Sequence, residues 1–171
     1  MANTVVSPQT SCNLQCQLTL AATGGAQNAT IPITDGTATV YTVGTSSGNI
    51  NLEYSQTLTI ASSGSPTTLT VSALTDNGGA SIAFAHISAW KLTNLDTTQT
   101  LTIKPGASNG VAWLPSAGVT LPPGTAGNNS WLAQNVPPGQ ACVASTSDEI
   151  TIAVGGGTNI QCILTLLGRT S

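Results

Sequence analysis

The sequence predicts an all-β protein, an antiparallel β-sandwich or jelly-roll-like fold with almost no helix. Three observations predict this class. Apolar residues alternate with Thr, Ser and Gln in segments along the whole chain, which is the pattern of half-buried strands. Turn signals separate these segments about every ten residues. No segment carries the i, i+3, i+4, i+7 apolar stripe of an amphipathic helix.

The strand patterns follow one another with Gly- and Pro-containing turns between them. Glycine supplies the positive φ of a turn and proline fixes φ at its corner, so Asp35-Gly36 and Pro105-Gly106 are predicted to be turns. Segments 13–20 and 159–166 are similar in sequence, which makes them candidate neighbours in one sheet. The predicted strands are 14–21, 37–43, 49–61 (as one strand or two), 67–74, 81–95, 99–104, 111–114, 130–134, 140–144, 149–154 and 159–167.

The length of 171 residues fits a single domain that spans residues 1–171. Residues 1–50 are expected to form part of it, as an extra strand layer or as an amino-terminal arm. The first twenty residues contain no Lys or Arg and no continuous apolar block, so no signal peptide is predicted. No run reaches the roughly 18 apolar residues of a membrane span, and we expect a protein made in the cytoplasm without membrane contact.

The chain carries very little charge. Lys91, Lys104 and Arg169 are its only cations, six residues are acidic, and 5% of all residues are charged where about 25% is usual. Three cations cannot neutralise many phosphates, which excludes a nucleic-acid binder of the usual kind. Little material remains for acid–base or metal chemistry, so we predict no enzyme activity, no cofactor and no metal.

Four cysteines are present, Cys12, Cys16, Cys142 and Cys162. In a reducing cytosol the default is a set of free and mostly buried thiols. A zinc site is disfavoured because no His stands near the cysteines. A disulfide between Cys16 and Cys162, formed after release from the cell, stays an alternative.

Two short segments resemble catalytic motifs. Gly106-Ala-Ser108-Asn-Gly110 matches the G-x-S-x-G nucleophile elbow, which requires a following helix and a later His. A strand-like segment follows instead, and the single His86 precedes the serine, so a hairpin turn is predicted. Asp148 and Glu149 are adjacent, and neighbours in a strand point to opposite faces, so they cannot act as a carboxylate pair.

The three tryptophans, Trp90, Trp113 and Trp131, lie in the second half of the chain. Aromatic residues fill cores, anchor interfaces or stack on sugars. Because the chain has one Phe, we favour core or interface roles. Trp113 and Trp131 flank Pro- and Gly-rich loops and are the candidate interface anchors.

The region from about Tyr54 to Gly168 resembles small β-rich virion proteins of tailed bacteriophages. The resemblance is carried by segments 74–78, 81–84, 90–95, 100–103, 121–124, 137–139, 149–153 and 163–168. It implies a sandwich or jelly-roll fold, oligomeric assembly, and a role on the particle surface. The first fifty residues and the cysteines carry none of it.

These observations together predict a non-enzymatic structural protein that decorates or cements a phage capsid. Its expected partners are the major capsid protein or other virion subunits and further copies of itself, with a trimer as the working guess. It would be assembled in the host cytoplasm and end in the virion. The alternative is a tail-fibre or adhesin module that binds host glycans through exposed Trp residues.

Overall fold

The computed structural model describes residues 9–20, 29–40, 44–47, 49–62, 64–76, 78–124 and 130–170, with side chains described in 44–124 (within those ranges) and in 141–170. These residues contain twelve β-strands and no helix. Every pairing between two strands is antiparallel. The predicted all-β antiparallel class is confirmed for this part of the chain.

The chain divides into two compact units, the first of which spans Gln9–Val40. It is a hairpin of β1 (Gln9–Leu20) and β2 (Ala29–Val40), with each residue of one strand paired to one of the other. The turn predicted at Asp35-Gly36 is wrong, because both residues lie within β2 and pair with β1. A strand tolerates an interior glycine at some energetic cost when a partner continues on both sides of it. The role of residues 1–50 as layer or arm stays a prediction.

The second unit, called the body here, includes all described residues from Gly44 onward. One four-stranded sheet has the order β10-β7-β12-β3, a second has the order β4-β11-β8-β9, and β5 and β6 form a small hairpin. The bounds are β3 (Leu52–Ile60), β4 (Thr67–Thr70), β5 (Leu74–Thr75), β6 (Ser81–Ile82), β7 (His86–Asn94), β8 (Leu101–Pro105), β9 (Val119–Leu121), β10 (Ser130–Ala141), β11 (Glu149–Val154) and β12 (Ile160–Arg169).

Both sheets of the body contribute to one hydrophobic core. Alternation along β11 buries Ile150 and Ile152, and β12 does the same with Leu164 and Leu166. These residues share one buried cluster, so the inner faces of the two sheets pack against each other in a sandwich-like arrangement. The jelly-roll topology stays a prediction.

Several strand predictions need correction. The predicted strand 81–95 is interrupted between β6 and β7, and the predicted strand 111–114 is a turn region. Val111 and Leu114 are nevertheless buried, so their apolar character reflects a loop folded onto the core. The similar segments 13–20 and 159–166 are not neighbours in one sheet, because β1 pairs with β2 while β12 pairs with β3 and β7.

Candidate assembly surface

The structure places Trp113 in the core of the body. Its side chain is 8% exposed, and its ring lies against that of Trp90, which is 2% exposed. The ring centroids are 5.7 Å apart and the planes are tilted by 43°. Trp113 therefore has little exposed surface in the single chain with which to anchor an interface. For the same reason, the Trp113 ring is not exposed in the way that stacking on a glycan would require.

Trp131, the other predicted anchor, lies in β10, where it pairs with Thr93 of β7. Its side chain lies outside the described residues, so the role predicted for it stays a prediction. Its position in the chain is notable because β10 is an edge strand of the first sheet.

The serine of the G-x-S-x-G pattern lies in an exposed turn after β8. Gly110 then bridges to Glu149, and no helix follows among the described residues. A Cβ atom on Gly106 would stand 2.4 Å from Cβ of Glu149, and one on Gly110 would stand 2.5 Å from the Gly106 carbonyl oxygen. Close packing of the turn onto β11 thus explains Gly106, and close packing within the turn, against Pro105 and Gly106, explains Gly110.

The chain's one histidine and one arginine are cross-strand partners. His86 begins β7 and pairs with Arg169 at the end of β12. The Arg169 side chain is 8% exposed, and its Nη1 donates a 3.0 Å hydrogen bond to the Thr45 carbonyl. This contact holds segment 44–47 against the end of the sheet. Arg169 is therefore used inside the fold, and only Lys91 and Lys104 are exposed cations.

The adjacent acidic residues occupy different environments, and only Glu149 belongs to a strand, since β11 begins at that residue. The Asp148 side chain is 1% exposed, and its Oδ2 accepts a 2.5 Å hydrogen bond from Ser72 Oγ. Glu149 is half-buried in β11.

Asp76 Oδ1 accepts hydrogen bonds from the backbone N–H groups of Gly78 and Ala80, both at 2.8 Å, so this carboxylate closes its own turn. The described residues contain no group of three or more His, Cys, Asp or Glu that could hold a metal ion.

Cys142 and Cys162 are buried thiols that form no disulfide bond, as the default prediction for the cysteines states. Burial raises the pKa of Cys142 to about 11, despite an opposing interaction with Trp113, and raises that of Cys162 to about 12. Both thiols thus stay protonated at neutral pH, which makes them poor nucleophiles and metal ligands. The side chains of Cys12 and Cys16 lie outside the described residues.

The outward faces of both sheets are rich in hydroxyl groups. On β3, Ser55, Thr57 and Thr59 are exposed, and the Ser55 hydroxyl is 3.0 Å from that of Thr165 on β12. On the second sheet the hydroxyls of Thr102 and Thr120 are 2.9 Å apart. Each described outer face carries one exposed cation, Lys91 on the first sheet and Lys104 on the second.

Such surfaces suit close contact with other protein chains. Short hydroxyl side chains lose little conformational entropy when a neighbour covers them. A surface poor in Lys and Glu also has few charges to strip of water on contact. The two hydroxyl-rich outer faces are therefore the candidate assembly surface.

Comparison with known proteins adds no relative: no protein-family model matches the chain, and no curated protein matches it in sequence. Among the described residues, no helix is long and apolar enough to cross a membrane. The class defined by the fold is an all-β protein of stacked antiparallel sheets, and its function is argued below from its own residues.

Proposed function

We propose that the chain is a non-enzymatic structural protein of a bacteriophage virion that decorates or cements the capsid. It assembles as a homo-oligomer and covers surface of the major capsid protein or of other virion subunits. Its stabilising effect is that of any ligand for the assembled state, since each bound copy shifts the equilibrium away from the dissociated shell.

The observation that carries this proposal is the pair of hydroxyl-rich outer faces on a scaffold of two packed sheets. An isolated protein of 17.1 kDa normally keeps itself soluble with exposed charge. Here Arg169 and Asp148 are buried, so the surface carries even fewer charged residues than the low count in the sequence indicates. A surface of this kind favours permanent burial against neighbouring subunits. The outer face of the second sheet is the surface that we propose contacts the capsid.

The experiment adds purified chain to particles assembled without it. Binding is measured by co-sedimentation, and stabilisation by the temperature at which the particles release their nucleic acid. The variant Thr68→Glu/Thr120→Glu places two charges on the outer face of the second sheet, where both side chains are exposed. We expect wild-type chain to bind and raise the release temperature, and the variant to bind at least about tenfold more weakly.

The matched control is Ser65→Glu/Ala107→Glu, which adds the same charge at exposed residues outside the strands. This control is expected to bind like the wild type. Wild-type chain that neither sediments with the particles nor raises their release temperature would refute the proposal. Equal binding by the variant and the control would remove the second sheet from the contact.

A further inference from the structure

The open edge of β3 differs from the other strand edges of the body. β3 pairs with β12 over nine consecutive residues without a bulge, and among the described residues no strand pairs with its other edge. On the second sheet the edge strands are short, with four residues in β4 and three in β9. The remaining edge strand, β10, has a register shift between Asn135 and Gln140 and contains two prolines.

Short strands, bulges and prolines are the usual devices that keep sheet edges from pairing with other chains. β3 carries none of these devices. It also contains no Lys and no Pro, and its single charge, Glu53, lies near its beginning. A long and regular edge that no described strand covers offers its backbone N–H and C=O groups to an added strand.

We propose that β3 pairs antiparallel with β3 of a second copy of this chain, which joins two four-stranded sheets into one of eight strands. The inference deepens the homo-oligomeric assembly proposed above and rests on it. An open-edge contact of this kind is isologous and has two-fold symmetry. It produces a dimer, or links trimers in pairs.

The sequence of β3 is complementary to itself in this arrangement. Pairing centred on Gln56 uses all nine residues and sets Ser55 of each copy opposite Thr57 of the other. Exposed hydroxyl residues then meet exposed hydroxyl residues, while Tyr54 and Ile60 stay on the core side. The Gln56 side chain is held within its own copy, since its Nε2 donates a 2.8 Å hydrogen bond to the Thr75 carbonyl.

Charge also favours a second copy as the partner. In the centred pairing Glu53 lies opposite Thr59, so the two Glu53 residues are six positions, or about 20 Å, apart along the strands. That separation exceeds the Debye length of about 8 Å at physiological ionic strength, so repulsion between them is screened. With a net charge of −3 per chain, two copies repel each other weakly as whole molecules.

The test uses purified full-length chain and two variants of opposite charge. Ser55→Lys/Thr57→Lys sets Lys against Lys at the two-fold axis, and Ser55→Glu/Thr57→Glu sets Glu against Glu. Both positions are exposed, so the fold is expected to persist, which circular dichroism and thermal melting check for each variant. Ala107→Lys/Ser108→Lys, in the exposed turn after β8, is the charge-matched control.

Mass is measured by sedimentation velocity over a range of concentrations. We expect the wild type and the control to associate in pairs. The Lys variant alone and the Glu variant alone should associate at least about tenfold more weakly, and a mixture of the two should regain the association. Amides of β3 in the wild type are expected to become more protected from hydrogen exchange as concentration rises.

Three results would overturn the inference: a wild type that stays monomeric at the highest concentration, an association that the β3 variants leave unchanged, or an association that each variant weakens but the mixture of the Lys and Glu variants does not restore. Because the test needs no particle, its failure is distinguishable from failure of the capsid proposal, which particle binding measures.

Discussion

The indole rings of Trp90 and Trp113 pack together at a centroid distance of 5.7 Å in the core of the body. Trp90 belongs to β7, whereas Trp113 comes from the turn region before β9. The pair thus fastens a loop to the first sheet without any backbone ladder. Large aromatic side chains are scarce in this chain, so each accounts for a large share of the buried area.

Replacement of Trp113 is predicted to destabilise the single chain. Trp113→Ala removes a buried ring and leaves a cavity beside Trp90, which typically costs about 3–5 kcal/mol. The loss in free energy of unfolding is measured by urea denaturation and is expected not to depend on protein concentration. Val143→Ala, at a side chain that is 52% exposed, is the control and should change stability by no more than about 0.5 kcal/mol. A loss that grew with dilution would instead support the interface role.

Asn94 is predicted to be indispensable for the connection between β7 and β8. Its side chain is fully buried, Nδ2 donates to the carbonyls of Gln99 and Pro122 at 2.9 and 3.1 Å, and Oδ1 accepts from the Asp96 N–H at 3.0 Å. Asn94→Ala leaves these three backbone groups without their partner, which should cost about 2–3 kcal/mol.

The neighbouring Thr93→Ala is the control for Asn94, since Thr93 is half-buried on the other face of β7. Thermal and urea unfolding of both variants give the comparison. If Asn94→Ala costs no more than Thr93→Ala, the hydrogen bonds of Asn94 contribute nothing net to stability, and the prediction is wrong.

The glycines of the G-x-S-x-G pattern are predicted to act through packing. Gly106→Ala drives a methyl group into Glu149 and should destabilise the chain by about 1–3 kcal/mol. Ser108→Ala, at an exposed position in the same turn, should have little effect. Gly157→Ala is the matched glycine control, because nothing lies within 4 Å of its added Cβ atom. Equal melting temperatures for Gly106→Ala and Gly157→Ala would contradict the packing explanation.

The alternation of apolar and polar residues predicted the all-β class and the bounds of several strands closely. It could do so because the burial of one face of a strand sets this alternation within the strand itself. Residues 149–154 were predicted as a strand and form β11 with those bounds. The pattern failed where apolar residues are buried without strand pairing, as in 111–114. It also failed at Asp35-Gly36, because a local turn preference gives way when a strand partner continues past it.

The low charge of the candidate assembly surface could be predicted from the sequence, but the residues that form this surface could not. Low charge is visible in composition, whereas the burial of Arg169 and Trp113 depends on which loops fold over the sheets. Strand order also lies outside what the pattern contains, since a local alternation does not say which strands lie at an edge. The open side of β3 could therefore be found only once β12 was known to be its one partner among the described strands.

Alkaline pH is predicted to destabilise the fold through its two buried thiols. Cysteine in the unfolded chain titrates near pH 9.0, whereas burial raises the native pKa of Cys142 to about 11 and of Cys162 to about 12. The native state therefore keeps protons that the unfolded state releases. The stability that these protonated thiols contribute is fully present below pH 9, declines as the pH rises, and is lost once the pH passes the native values.

Urea unfolding at about pH 8 and about pH 10.5 measures this loss in the wild type and in Cys142→Ala/Cys162→Ala. The pKa of Tyr54 is also raised, mainly by burial and in addition by Cys162, so the difference between the two proteins reports the thiols together with their effect on Tyr54. The variant is expected to be less stable than the wild type at the lower pH and to lose less stability between the two values. In a Cys12→Ser/Cys16→Ser background, the two remaining thiols should react with a thiol reagent only after unfolding. Rapid labelling of the native protein, or equal pH losses in both proteins, would contradict the burial that raises these two pKa values.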